Sequence, residues 1–333
     1  MAHPIHEANE KSPFGDLTRE EFYKKHQIVH QESFMLNQQN MKIFTQSWKP
    51  SSGPGLRGLV AMVHGYTDES SWLIQLTAVG MVKAGFYVCA LDLQGHGYSD
   101  GSRGHIPNIE PVVEDCIQFF DSARASQPKL PAFLFGDVGD PKSCESLGGA
   151  IAILICLKQE NKWNGLILNA AMCGVSKKFK PVWPLEELLP VAAFVAPTWK
   201  IAVTEDPARR SYKEEWKRKL VMKSPNRLAN GKVTAATALE FLRVCEYIKR
   251  NCHGLELPLL VVHGGEDKIC DPNSARWVHD SAASKDKTLK IFKGMWHQFI
   301  GEPNENVELV FGAILSWLGE RVGSVVSCNN PFQ

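Results

Sequence analysis

Three residues of this chain, each set just past an apolar run that reads as a strand or at the start of an apolar helix, have the types needed for nucleophilic catalysis. Ser146 lies in ESLGGAIAILI (Glu145 to Ile155), where glycines and an apolar helical pattern follow the serine and the strand-like AFLFG precedes it. A strand-to-helix turn of this kind exposes the serine, requires small neighbours, and aims a helix N-terminus at developing negative charge. The same S-x-G-G is also an ordinary helix cap. In LPLLVVHGGEDKICDP a buried strand ends in a glycine-rich turn that presents Asp267 beyond its carboxyl end, the side on which open parallel sheets carry their sites. In KIFKGMWHQF a further strand is followed by a glycine and then His297. A hydroxyl needs a base to take its proton, and the base needs an acid to fix its tautomer. Singly, each has another reading: Asp267 could cap a turn, Glu266, Asp271 and Asp280 are rival acids, and His297 is one of 11 histidines.

Acyl transfer also needs donors aimed at the tetrahedral oxyanion, each worth about 3 kcal/mol of barrier. LVAMVHGYTDESSW supplies a strand, then His64 and Gly65, then a turn where the Tyr66 backbone N–H points towards the site; the Leu147 N–H is the second donor. His-Gly after a strand is also a common tight turn. A second such turn, LDLQGHGYSDG, contains Asp92 and His96, which resemble a catalytic pair. The glycines on both sides of His96 read instead as a crowded turn packed beside the site.

Apolar runs at 59–63, 87–91, 132–135, 166–169, 259–263 and 287–292 alternate with helical patterns at 109–125, 147–159, 234–250, 274–283 and 306–322. That rhythm predicts one α/β domain over residues 1–333: a mostly parallel sheet flanked by helices. ESFMLNQQNMKIFTQSW predicts an antiparallel hairpin at the first edge. Residues 172–252 interrupt the rhythm with clustered prolines and are too long for an ordinary connection, so they are read as a cap inserted over one end of the sheet. Within them Leu188 to Trp199 carries no charge and is read as an acyl tunnel, a lipid-facing surface or plain core, whereas SYKEEWKRKL is read as a solvated helix face.

The chain has 333 residues, 44% of them hydrophobic, and 37 basic against 36 acidic residues leave a net charge of +1, which argues against nucleic acid as a partner. The 9 cysteines are scattered without a C-x-x-C pair, so reduced thiols in the cytoplasm are expected, with no metal. The polar N-terminus lacks the apolar core of a signal peptide, and no stretch reaches the roughly 20 apolar residues of a membrane span. Neither end carries a lipidation motif.

HGYTDES, LDLQGHGYSDG, ESLGGA, HGGEDKICDP and MWHQF, in that order, resemble the plant-type monoacylglycerol lipase family, which includes caffeoylshikimate esterases. NAAMCGVSKKFKPVWPLEELL and the stretch from SYKEEWKRKL to TAATALEFLRVCEYI are similar to the family as well, so the likeness spans nearly the whole chain. The chain order Ser, Asp, His is that of α/β-hydrolases. The resemblance implies an eight-stranded α/β-hydrolase fold with a helical cap. It also implies Ser146, Asp267 and His297 as nucleophile, acid and base, and Tyr66 and Leu147 as oxyanion donors. The implied activity is ester hydrolysis through an acyl-enzyme with no cofactor. The expected substrate is a monoacylglycerol or lysophospholipid, the rival is caffeoylshikimate, and the expected partners are this small ester and, through the cap, a membrane surface. No protein partner is expected.

One departure stands out. The family resembles FLFGESLGG, but here DVGDPKSC (Asp137 to Cys144) separates Gly136 from Glu145, so the elbow reads C-x-S-x-G. A segment so rich in Gly, Asp and Pro cannot extend a buried strand and must loop out or shift register. Reduced activity on a normal global fold is expected, or, at the extreme, a ligand-binding protein that has lost catalysis.

Overall fold

A computed structural model describes residues 2–53, 55–137, 147–170, 185–200, 211–228 and 233–328. The expected hairpin forms as β1 (Ile28–Leu36) and β2 (Lys42–Pro50), joined by a turn in which Asn40 takes φ 59° and the Asn37 side chain accepts from Gln39 and Met41 N–H. It is followed by β3 (Gly58–Val63), β4 (Phe86–Leu91), β5 (Ala132–Gly136), β6 (Gly165–Asn169), β7 (Leu259–Gly264) and β8 (Lys287–Phe292). The sheet order is β1-β2-β4-β3-β5-β6-β7-β8, with β1 and β2 antiparallel and every pair from β4 to β8 parallel. This is the doubly wound α/β-hydrolase architecture expected from the strand and helix rhythm, and each of the six strands outside the hairpin lies within one residue of its expected bounds.

The described helices are α1 (Arg19–Lys25), α2 (Gln75–Lys83), α3 (Glu110–Ser126), α4 (Leu147–Lys158), α5 (Leu185–Val195), α6 (Glu215–Met222), α7 (Ala235–Asn251), α8 (Pro272–Ser281) and α9 (Asn304–Cys328). α1 starts at a full capping box between Thr18 and Glu21, and α8 at Asp271, whose side chain accepts from Asn273 N–H ahead of Pro272. α2 follows a π-helical turn, Ser70–Ile74, and has no counterpart among the sequence expectations. Nearly all its residues are buried, so it lacks the polar face that gives a helix its periodicity.

Alternate strand residues feed two cores, one on each face of the sheet. Leu59, Ala61, Val63, Leu134, Leu168 and Val261 join α3, α4 and α7 on one side. Val60, Met62, Phe133, Phe135, Ile167 and Val262 join α2 and α9 on the other. Burial on both faces is why these strands read as unbroken apolar runs, and each fully buried Leu, Ile or Phe contributes about 1.5–3 kcal/mol. α9 buries Val307, Val310, Phe311, Ile314 and Leu318, the face read from the sequence.

One expectation for residues between β6 and β7 is corrected and another is narrowed. α6, read as a solvated face, buries Leu220, Val221 and even Lys217, whose Nζ donates to the Glu302 carbonyl (2.6 Å) and lies over the Trp216 ring. Its apolar residues find the body of the domain, and the lysine stem follows them in. Of the readings left open for the uncharged run, plain core is disfavoured: Leu189 is buried, but Leu188, Val191, Phe194, Val195 and Trp199 are exposed, Phe194 at 89%. Among the described residues no helix is long and apolar enough to cross a membrane.

Candidate active site

The parallel strands end together at one rim, and their following turns converge there. Gly148 and Gly264 permit the crowding. A Cβ on Gly148 would lie 2.3 Å from the Val63 carbonyl oxygen and 2.8 Å from that of His64, so the first turn of α4 sits directly on the end of β3. A Cβ on Gly264 would lie 2.2 Å from the Trp296 carbonyl oxygen, so the segment carrying His297 crosses the end of β7. Larger residues at either point would force the backbones apart.

Asp267 and His297 meet at this rim. His297 Nδ1 donates to Asp267 Oδ2 at 2.6 Å, with both side chains almost wholly buried. The other carboxylate oxygen accepts from the Ile269 and Cys270 backbone N–H groups at 2.8 and 3.0 Å. Burial by itself would raise the Asp267 pKa. The adjacent His297, with hydrogen bonds from His263 and from His297 itself, overrides this and holds the carboxyl well below the usual carboxylate range. The rival acids are elsewhere employed: Asp271 caps α8, Asp280 pairs with His279 at the surface, and Glu266 contributes its backbone N–H to Met295.

The first oxyanion candidate follows β3. His64 is a structural residue, donating from Nδ1 to the Gly65 carbonyl and accepting at Nε2 from the Leu93 N–H (2.9 Å); burial lowers its pKa to about 4. The Tyr66 hydroxyl donates to the Gly104 carbonyl, and its ring meets His96 and Phe241 edge-on. Thr67 then takes φ +68°, a left-handed conformation that costs a β-branched residue about 1–3 kcal/mol and recurs where backbone is held for function. Leu147, the second candidate, is the first residue of α4 and fully buried. Ser146 lies outside the described residues, as do Val138 to Cys144 of the insertion.

Both flanks of the insertion keep their packing. β5 pairs with β3 and β6 up to Gly136, and Asp137 adds one more strand-like bond to the Val63 carbonyl (2.9 Å) while its carboxylate accepts from Asn169 Nδ2 (2.6 Å). A Cβ on Gly136 would lie 2.5 Å from the Gly149 Cα, so strand and helix remain in close contact across the extra residues.

A family model described as serine aminopeptidase, S33 matches residues 54–304. The chain belongs to that family. Within the serine aminopeptidase S33 family, caffeoylshikimate esterase of Arabidopsis thaliana is 33% identical over 313 residues, covering 93% of this chain and 91% of its own length. Human monoglyceride lipase is 25% identical over 297 residues, covering 89% of this chain and 93% of its own. A soluble variant of monoglyceride lipase from Saccharomyces cerevisiae, solved with a substrate analog, shares the fold at a TM-score of 0.75 over 88% of this chain and 96% of that one, with 18% identity.

The turn between β4 and α3 is the crowded structure read from its glycines. Asp92 accepts from the Ser70 N–H and hydroxyl and from the Tyr98 N–H, and His96 Nδ1 donates to the Gln94 carbonyl. Gly97 at φ +50° leaves 1.9 Å between a built Cβ and Asp92 Oδ2. Three residues near the rim had no distinguishing signal in the sequence. His263 contacts Asp267, Glu69 lies buried beside Asp92, and Glu302 accepts from the Trp296 N–H (2.7 Å), next to His297.

Proposed function

We propose that this chain hydrolyses carboxylic esters through an acyl-enzyme, with Ser146 as nucleophile, His297 as general base and Asp267 as the acid that orients it. The observation that carries this reading is the buried 2.6 Å bond between His297 Nδ1 and Asp267 at the rim where α4 begins one residue after Ser146. With Nδ1 engaged, Nε2 is left to accept the serine proton as Oγ attacks the ester carbonyl. The Tyr66 and Leu147 N–H groups stabilise the oxyanion. His297 then returns the proton to the departing alkoxide, and a second cycle with water releases the acid.

The leading substrate is a monoacylglycerol, the ester for which the monoglyceride lipase relatives are named, or a lysophospholipid. A hydroxycinnamoyl ester such as caffeoylshikimate is the second reading, favoured by the 33% identity to the Arabidopsis esterase. Residues between β6 and β7 act as the cap, and the exposed side chains of Leu188, Val191, Phe194 and Val195 on α5 touch a lipid surface. The cytoplasm is the proposed compartment, in keeping with the buried, unbridged thiols of Cys89, Cys116, Cys156, Cys245, Cys252 and Cys270.

The test is labelling with an active-site fluorophosphonate beside parallel assays on a monoacylglycerol and caffeoylshikimate. Labelling that disappears in Ser146→Ala, with turnover of one ester, is the expected result. An unlabelled parent chain would instead identify a binding protein.

A further inference from the structure

His263, the histidine one residue before the end of β7, does for Asp267 something the triad reading leaves unassigned. Its side chain has no solvent exposure, and Nε2 lies 3.1 Å from Asp267 Oδ2 and 3.3 Å from the Cys270 carbonyl oxygen. Both neighbours are acceptors, so Nε2 carries the proton. Oδ2 therefore accepts from His297 at 2.6 Å and also lies 3.1 Å from His263 Nε2, whose single N–H it shares with the Cys270 carbonyl, while Oδ1 receives two backbone donors. On its far side His263 Nδ1 is buried and has no hydrogen-bond partner among the described residues. A buried histidine leaving one nitrogen unpaired gives up stability, and the contacts it keeps are with the carboxylate and the Cys270 carbonyl.

We propose that His263 is a positioning residue for the base: by sharing Asp267 Oδ2 it fixes the carboxylate plane and limits how strongly that oxygen draws on the His297 proton. The proposal rests on the assignment of Asp267 and His297 above. A donor at Oδ2 disperses the negative charge that His297 faces. Removing it concentrates that charge on the His297 bond and frees the carboxylate to turn about its side-chain torsion.

The experiment compares His263→Leu, which removes the donor, with His263→Gln, whose amide N–H reaches to the same distance. The far-downfield proton resonance of the His297 imidazole is read by nuclear magnetic resonance, together with kcat and KM across pH for the better ester. In His263→Leu the resonance moves further downfield, the acidic limb of kcat/KM moves to higher pH, and kcat falls on the order of tenfold with KM little changed. His263→Gln returns all three towards the parent. His263→Met serves if the leucine protein does not fold. A parent-like resonance and profile in His263→Leu would overturn the proposal, as would equal losses in the glutamine and leucine proteins. Asp267→Asn separates the two claims. If it abolishes the resonance and the leucine protein is normal, His263 alone has been misassigned. If the resonance survives in Asp267→Asn, the acid–base pairing falls and His263 with it. A chain without ester turnover refutes the proposed function, while the resonance still decides the role of His263.

Discussion

Glu69 has almost no access to water and lies beside Asp92, a second buried carboxyl. Burial, then the negative charge of Asp92, pushes the Glu69 pKa up to about 8. Between the ordinary carboxyl value near 4.5 and about 8, the folded chain holds a proton that the unfolded chain has released. This contribution to stability is complete at low pH and is lost as pH rises through that window. Glu69→Gln, which keeps the contacts to the Ser71 N–H and the Ser224 hydroxyl, removes the dependence. Unfolding measured at pH 5 and pH 8 should show the parent losing at least ~1 kcal/mol more than the variant; equal losses would refute the assignment. The proposed acid and base were legible because each follows a strand with a glycine beside it, as Asp267 and His297 do. His263 and Glu69 were not, since a histidine at a strand end or a glutamate in a polar turn has a sequence pattern no different from a solvated one.

At the scale of elements, apolar periodicity located β3 to β8 to within a residue, because each is bounded by turn residues and all but the half-buried edge strand β8 are buried on both faces. It missed α2, where burial is nearly complete, and left the uncharged run of α5 open between an outward surface, a tunnel and core. Hydrophobicity identifies which side of a helix avoids water but not what covers it. For α5 the proposed cover is lipid, so Phe194→Asp, at a side chain 89% exposed, should lower co-sedimentation with phosphatidylcholine vesicles several-fold without changing the melting temperature. Unchanged sedimentation would exclude α5 as the contact.

The molecule as a whole tolerates an insertion at its most exacting turn. Gly136 still packs on Gly149, and Gly148 on Val63 and His64, so the fold survives, as the sequence suggested. The position of the nucleophile was never legible: a motif specifies residues, whereas catalysis depends on where a hydroxyl points, and a displacement of about 1 Å costs roughly 100-fold in rate. Deleting Asp137 to Cys144 restores Gly136-Glu145-Ser146 and should raise ester hydrolysis at least ~100-fold with an unchanged melting profile. Equal rates would show that the extra residues leave the hydroxyl in reach of the base.

The stretch from Ser211 to Lys217 is bonded to the His297 segment at several points. The Gln298 N–H donates to the Ser211 carbonyl, the Lys213 and Glu214 N–H groups donate to the Gly301 carbonyl, and Lys217 Nζ donates to that of Glu302. This stretch of the proposed cap is therefore fastened to the His297 segment like a plate screwed to its mount. Substrate that entered by prying it outward would drag the imidazole away from Asp267 and disarm the enzyme on arrival. If His297 is the base, as proposed, substrate has to reach it without displacing this stretch.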